Sequence, residues 1–227
     1  MKKLLVMTVL LLLVASGETS AFQLAAELVY VTSIASPYAP GQLAGVGGSV
    51  TLLDLGVASV GLSLDLLGTS NDLGYLPRLC LRNMPEGPAA RAVFGLADAL
   101  MFVNTTWPLM DGMRLVALAG VGDISYVAAK EGEEFSYNVY RGLRVKGEVR
   151  KRIALTADLF ASAEFSPHLT HVYGTQPASA SWWGAEVGVQ ANIPLGFARA
   201  GLRMNSLRES NADQRFAGVF VSGGFGF

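Results

Sequence analysis

Gly218-Val-Phe-Val-Ser-Gly-Gly-Phe-Gly-Phe227 closes the chain. Read with period two from its last residue, Phe227, Phe225, Gly223, Val221 and Val219 fall on one face. Gly226, Gly224 and Ser222 fall on the other, with Phe220 the exception. Period two is the side-chain spacing of a β-strand. This strand therefore has one apolar face and one almost bare face, and it ends on an aromatic residue.

The same alternation recurs upstream. Leu24, Ala26, Leu28 and Tyr30 alternate with Gln23, Ala25, Glu27 and Val29. Ala58 to Leu66 alternates with Val57 to Asp65. In the sixth strand Val139, Leu143, Val145 and Val149 face away from Tyr140, Gly142, Arg144, Lys146, Glu148 and Arg150. In the seventh, Ile153 to Phe165 faces away from Thr156, Asp158, Phe160, Ser162 and Glu164. Trp183 to Ile193 and Ala198 to Met204 follow the same rule, opposite Glu186, Arg199 and Arg203. Arg91–Val103 also fits a helical period. Strand parity favours a strand whose apolar outer face carries Phe94, Leu96, Leu100 and Phe102 with Asp98 among them.

The segments expected as strands are mostly 10 to 14 residues long. Soluble strands average about 5–6 residues, whereas a tilted strand crossing a bilayer needs about 9–11. Asp54–Gly56, Lys151–Arg152 and Pro194–Gly196 read as short turns. Ser33–Gln42, Gly68–Ala90, Val127–Asn138, Ser166–Ser181 and Leu207–Asp213 read as loops, and Asn104–Gly112 as a turn. The expected fold is all-β: a transmembrane antiparallel up-and-down barrel of about ten strands, with eight or twelve as alternatives.

The amino terminus agrees with export. Lys2 and Lys3 precede the apolar run Leu4 to Val14, and small residues follow up to Ala21. That is the pattern of a secretory signal peptide over residues 1–21, too short for a spanning helix, and residues 22–227 form one domain. Removing Lys2, Lys3 and Glu18 from 17 basic and 18 acidic residues leaves a net charge of −2, which argues against nucleic acid as a partner. Charged residues are 15% of the chain, against about 25% for an ordinary globular protein. The single Cys80 excludes an internal disulfide framework.

The tail resembles the closing strand of bacterial outer-membrane β-barrels. The resemblance implies that Val219, Val221, Phe225 and Phe227 form the signal read by the barrel-assembly machinery. It also implies a monomer embedded in outer-membrane lipid. A soluble periplasmic lipid carrier would turn the apolar face inward instead. The Gly, Ser and Thr content of the other face, the strand length and the terminal Phe favour the membrane arrangement.

Three enzyme readings fail on the residues. Arg208-Glu-Ser210-Asn211 is similar to the His-x-Ser-Asn motif of outer-membrane lipid A deacylases, but Arg208 stands where the base is needed and stays protonated. His168-x-x-His171 lacks a recognisable third metal ligand. Asp123 with either histidine has no context resembling the omptin proteases. No catalytic, cofactor or metal residues are expected. A structural or surface-exposed role follows, with a narrow porin-like channel as the alternative. The remaining constellation is an interior ion network of Arg144, Lys146, Glu148, Asp158 and Glu164. A three-residue turn after Arg150 would set Lys146 opposite Asp158, Glu148 opposite Thr156, Arg144 opposite Phe160 and Tyr140 opposite Glu164.

Overall fold

The computed structural model describes residues 23–35, 42–55, 57–68, 73–175, 178–194, 196–210 and 213–226. The expected signal peptide and the terminal Phe227 lie outside the described residues. Ten strands follow one another: β1 (Gln23–Ala35), β2 (Gln42–Asp54), β3 (Ser59–Gly68), β4 (Val93–Pro108), β5 (Met113–Ala129), β6 (Ser136–Ala154), β7 (Ala157–Gly174), β8 (Ala180–Ile193), β9 (Gly196–Glu209) and β10 (Asp213–Gly226). One short helix, α1 (Tyr75–Cys80), lies between β3 and β4. Every strand pairs antiparallel with its sequence neighbours, and β1 also pairs with β10, so the sheet closes without an edge.

Closure sorts side chains by parity. Leu28 is 67% exposed, Leu202 58% and Val221 59%, while Arg144 is 2% exposed and Glu148 4%. The outer wall is mostly apolar and most of the strands' charges are inside, the reverse of a soluble barrel. Phe220, the exception to the tail's alternation, points inward and is buried. It lies over Gly201, where an added Cβ would come within 3.1 Å of its ring and 2.3 Å of the Val187 carbonyl. Gly188 stands opposite Gly201 in the ladder and makes the same room for Phe160. The bare glycines thus let two rings fill a narrow interior.

Connections 55–58, 109–112, 155–156 and 194–195 gather at one end with the ends of β1 and β10, the short-turn end. The strand ends that flank 36–41, 69–92, 130–135, 175–179 and 210–212 gather at the other, the loop end. Leu76 and Leu79 of α1 are buried. Leu76 packs with Ala97 and Val127, so the longest connection folds back over the outer wall at the loop end.

Several expectations are corrected. The β4 segment is a strand, but its faces are reversed: Phe94, Leu96, Asp98, Leu100 and Phe102 are buried inside, while Met101 and Val103 are 59% and 49% exposed outside. Facing inward gives Asp98 an arginine partner and leaves lipid-compatible side chains outside. Ser166–Ser181 is mostly strand, because β7 runs to Gly174 through a register shift between Ser166 and Leu169. Likewise Asn104–Pro108 belongs to β4, and Val127–Ala129 and Ser136–Asn138 extend β5 and β6.

The β6–β7 turn is Leu155–Thr156, not Lys151–Arg152. Lys146 stands opposite Glu164, Glu148 opposite Ser162, Arg150 opposite Phe160, Arg152 opposite Asp158 and Tyr140 opposite His171. In the expected register Lys146 would meet Asp158 directly across neighbouring strands. In the observed one Asp158 meets Arg152 on the neighbouring strand, while other pairs reach past a strand, as Lys146 of β6 does to Glu186 of β8.

Candidate functional site

The lumen is the candidate site. Its short-turn half holds a cavity of about 560 Å³, lined by Gln23, Glu27, Asp98, Arg150, Arg199 and Ser222 among others. Its charges are stacked in tiers because inward positions on a strand recur every second residue.

The innermost tier centres on Arg144 of β6. Its guanidinium pairs with Asp98 of β4, at 2.7 Å from Nη2 to Oδ2, and donates from Nε to Oε1 of Glu164 on β7 at 2.5 Å. The Trp182 ring lies 5.6 Å from the guanidinium carbon. In the next tier, Arg203 of β9 donates to Oε2 of Glu27 on β1 at 2.9 Å and to Oε1 of Glu186 on β8 at 2.8 Å. Lys146 reaches the other oxygen of Glu186 at 3.0 Å. Arg203 also lies 4.9 Å over the Phe220 ring.

The third tier pairs Glu148 with Arg150 and with Arg199, the latter at 2.7 Å; Arg199 also stacks 3.9 Å over Phe160. At the rim Asp158 accepts from Arg114 at 2.7 Å, from Asn192 at 3.1 Å and from Arg152 at 3.4 Å. Each buried carboxylate in these pairs therefore has a cation, which offsets the cost of taking it out of water.

Of the five residues expected in the network, all face the lumen. Arg144 meets Glu164, while Lys146, Glu148 and Asp158 each belong to a different tier. Sequence reasoning left out Glu27, Glu186, Arg199 and Arg203, although all four sit on the polar face that alternation marks. It also left out Asp98, because that face was assigned outward.

Toward the loop end the lumen closes. Phe94, Ile124, Tyr140, Leu169, Trp182, Leu207 and Phe216 form one buried apolar cluster, with the Phe94 and Phe216 rings 5.4 Å apart. Above it a hydrogen-bonded group caps the barrel. Glu209 accepts from the hydroxyl groups of Tyr140 and, at 3.1 Å, Tyr126; the Asn138 amide donates to Tyr126 at 2.9 Å. His171 meets the Asn138 carbonyl oxygen at 3.2 Å. The seal has a cost: the Gln214 amide and Trp182 Nε1 are buried with no hydrogen-bond partner.

The residues considered for catalysis are not brought together. Asp123 lies on the outer wall in a two-bond pair with Arg141, at 2.6 and 2.7 Å, whereas His171 is engaged inside. Among the described residues no cluster of His, Cys, Asp or Glu could hold a metal ion. Asn211 of the Arg208–Asn211 segment lies outside the described residues.

No protein-family model and no curated protein matches the chain. Solved structures do. Neisserial surface protein A aligns at 11% identity over 91% of this chain and 97% of that one, with a TM-score of 0.41. The outer membrane protease OmpT from Escherichia coli aligns at 10% identity over 93% and 98%, TM-score 0.48. The translocator domain of the autotransporter NalP from Neisseria meningitidis aligns at 11% over 97% and 93%, TM-score 0.41. The chain is a closed ten-stranded antiparallel β-barrel, and the solved structures to which it is similar are barrels of the bacterial outer membrane.

Proposed function

We propose that this protein is a monomeric outer-membrane β-barrel of Gram-negative type, with a structural or surface-exposed role and no catalysis. One observation carries the reading: the outer wall is mostly apolar and the interior is charged. Water on the outer wall would leave a continuous apolar surface unburied, and a lipid-filled interior would strand the ion tiers. Lipid outside and paired charges inside satisfy both, and closure pairs the sheet's backbone groups. Export uses residues 1–21, and the assembly machinery reads the last strand through Val219, Val221, Phe225 and Phe227. The short turns then face the periplasm and α1 lies on the wall at the outer surface.

The apolar seal supports a barrel without an open path, so ions do not cross it. Single-channel recording of the purified protein in planar bilayers tests this: a silent bilayer is expected, and regular conductance steps would transfer the assignment to a narrow channel. The channel reading draws on the cavity below the seal and on the unsatisfied Gln214 and Trp182 groups within it.

A further inference from the structure

We infer that the short-turn rim docks into phospholipid rather than standing in water, with its turn tips at the boundary between head groups and acyl chains of the periplasmic leaflet. The inference rests on the membrane-barrel reading above. Leu155, at the tip of the β6–β7 turn, is 93% exposed; Val57 is 80%, Met110 72%, Leu55 61% and Leu109 51% exposed. Three turns at one end thus present large apolar side chains where turn geometry ordinarily selects Gly, Pro, Asn, Asp or Ser. Scattered exposed apolar residues need no explanation, but three apolar turns at one rim do.

Two observations name the occupant. The apolar tips continue the outward belt, which on β6 reads Val149, Lys151, Ile153 and Leu155 with the lysine as its one charge; Ile153 is 53% exposed on the wall. The charge beside them is positive. Arg114 and Arg152 share the single carboxylate Asp158, with side chains 39% and 51% exposed, and Lys151 is exposed next to them. Asp54 and Asp111 belong to the other two turns, so the β6–β7 side of the rim is the cationic one. Long basic side chains whose stems cross apolar surface while their heads reach phosphate are suited to this level of a bilayer. An apolar protein partner would explain the tips but not the surplus of cations. In this placement the mouth of the lumenal cavity opens among lipid head groups.

Spin labels test the placement. In a Cys80→Ser background, single cysteines replace Leu155, Met110, Val187 on the belt and Glu131 in the loop 130–135. The protein is reconstituted in vesicles of phosphatidylethanolamine and phosphatidylglycerol. Collision with dissolved oxygen and with a water-soluble nickel chelate is then measured. Labels at 155 and 110 are expected to meet the nickel chelate several-fold less often than the label at 131. Their oxygen-to-nickel ratio should fall between those at 131 and 187. Nickel collisions as frequent as at 131, with 187 still shielded, would overturn this inference alone. Free nickel access at 187 as well would overturn the membrane-barrel reading itself. Low collision with both reagents at 155 and 110 would place the rim against protein and also reject lipid.

Discussion

Arg144→Met removes the driest cation of the lumen. It strands Asp98, which is 8% exposed, and Glu164, whose side chain is 15% exposed. Breaking a buried pair by deleting one partner costs about 3–5 kcal/mol. Both carboxylates border the cavity, where water screens them in part, so a loss near the lower bound, about 3 kcal/mol, is expected. Asp98→Leu leaves Arg144 with Glu164 alone, for a loss of about 2–3 kcal/mol. In the double variant neither charge is stranded by the other, and Glu164 still faces Lys146 across the ladder. Its loss should fall about 2 kcal/mol short of the two single losses added together, well outside the roughly 0.5 kcal/mol scatter of independent sites. Urea unfolding in detergent micelles, with slopes matched between variants, measures it. Additive losses would refute the view that ion pairs span the lumen. A control comes from Lys146→Met with Asp158→Leu. These residues belong to separate tiers, so their effects should add; coupling between them would favour the other β6–β7 register.

Other predictions follow from single contacts. Gly201→Val forces the Phe220 ring and the Val187 carbonyl to shift and should cost about 1–3 kcal/mol in the same assay. Gly147→Ala, which meets nothing within 4 Å, should cost nothing, and equal losses at both sites would contradict the packing role of the interior rings. Opening the seal with Phe94→Ala, Trp182→Ala and Phe216→Ala together should produce conductance steps in bilayers that the unaltered protein leaves silent. Deleting Phe227 or replacing it by Ser should lower the folded outer-membrane form and leave a protease-sensitive periplasmic one; unchanged levels would remove the tail from the assembly account.

Much of the architecture was legible because a barrel writes its geometry locally. Period two in Leu24–Tyr30 and Val139–Val149 needs no knowledge of distant residues, and it sorted most side chains to the correct wall. It failed at β4, where both faces are apolar. Gly95, Ala97 and Ala99 are small enough to read as an inner face, and only the distant Arg144 shows that Asp98 belongs inside. The ion network was half legible for the same reason. Alternation marks which residues enter the lumen, but pairing there is decided by reach across it, as when Arg203 of β9 finds Glu27 of β1. The extension of β7 through residues 166–174 was hidden by Pro167 and by the register shift beside it.

The central claim is that the apolar wall faces lipid in the outer membrane. The direct measurement is fractionation of Gram-negative cells expressing the protein with an epitope inserted at Thr175, combined with labelling of the intact cells. The account predicts recovery in the outer-membrane fraction, release only by detergent, and a labelled epitope on unbroken cells, while an epitope at Gly196 stays dark. Recovery in the periplasmic fraction without detergent would contradict it.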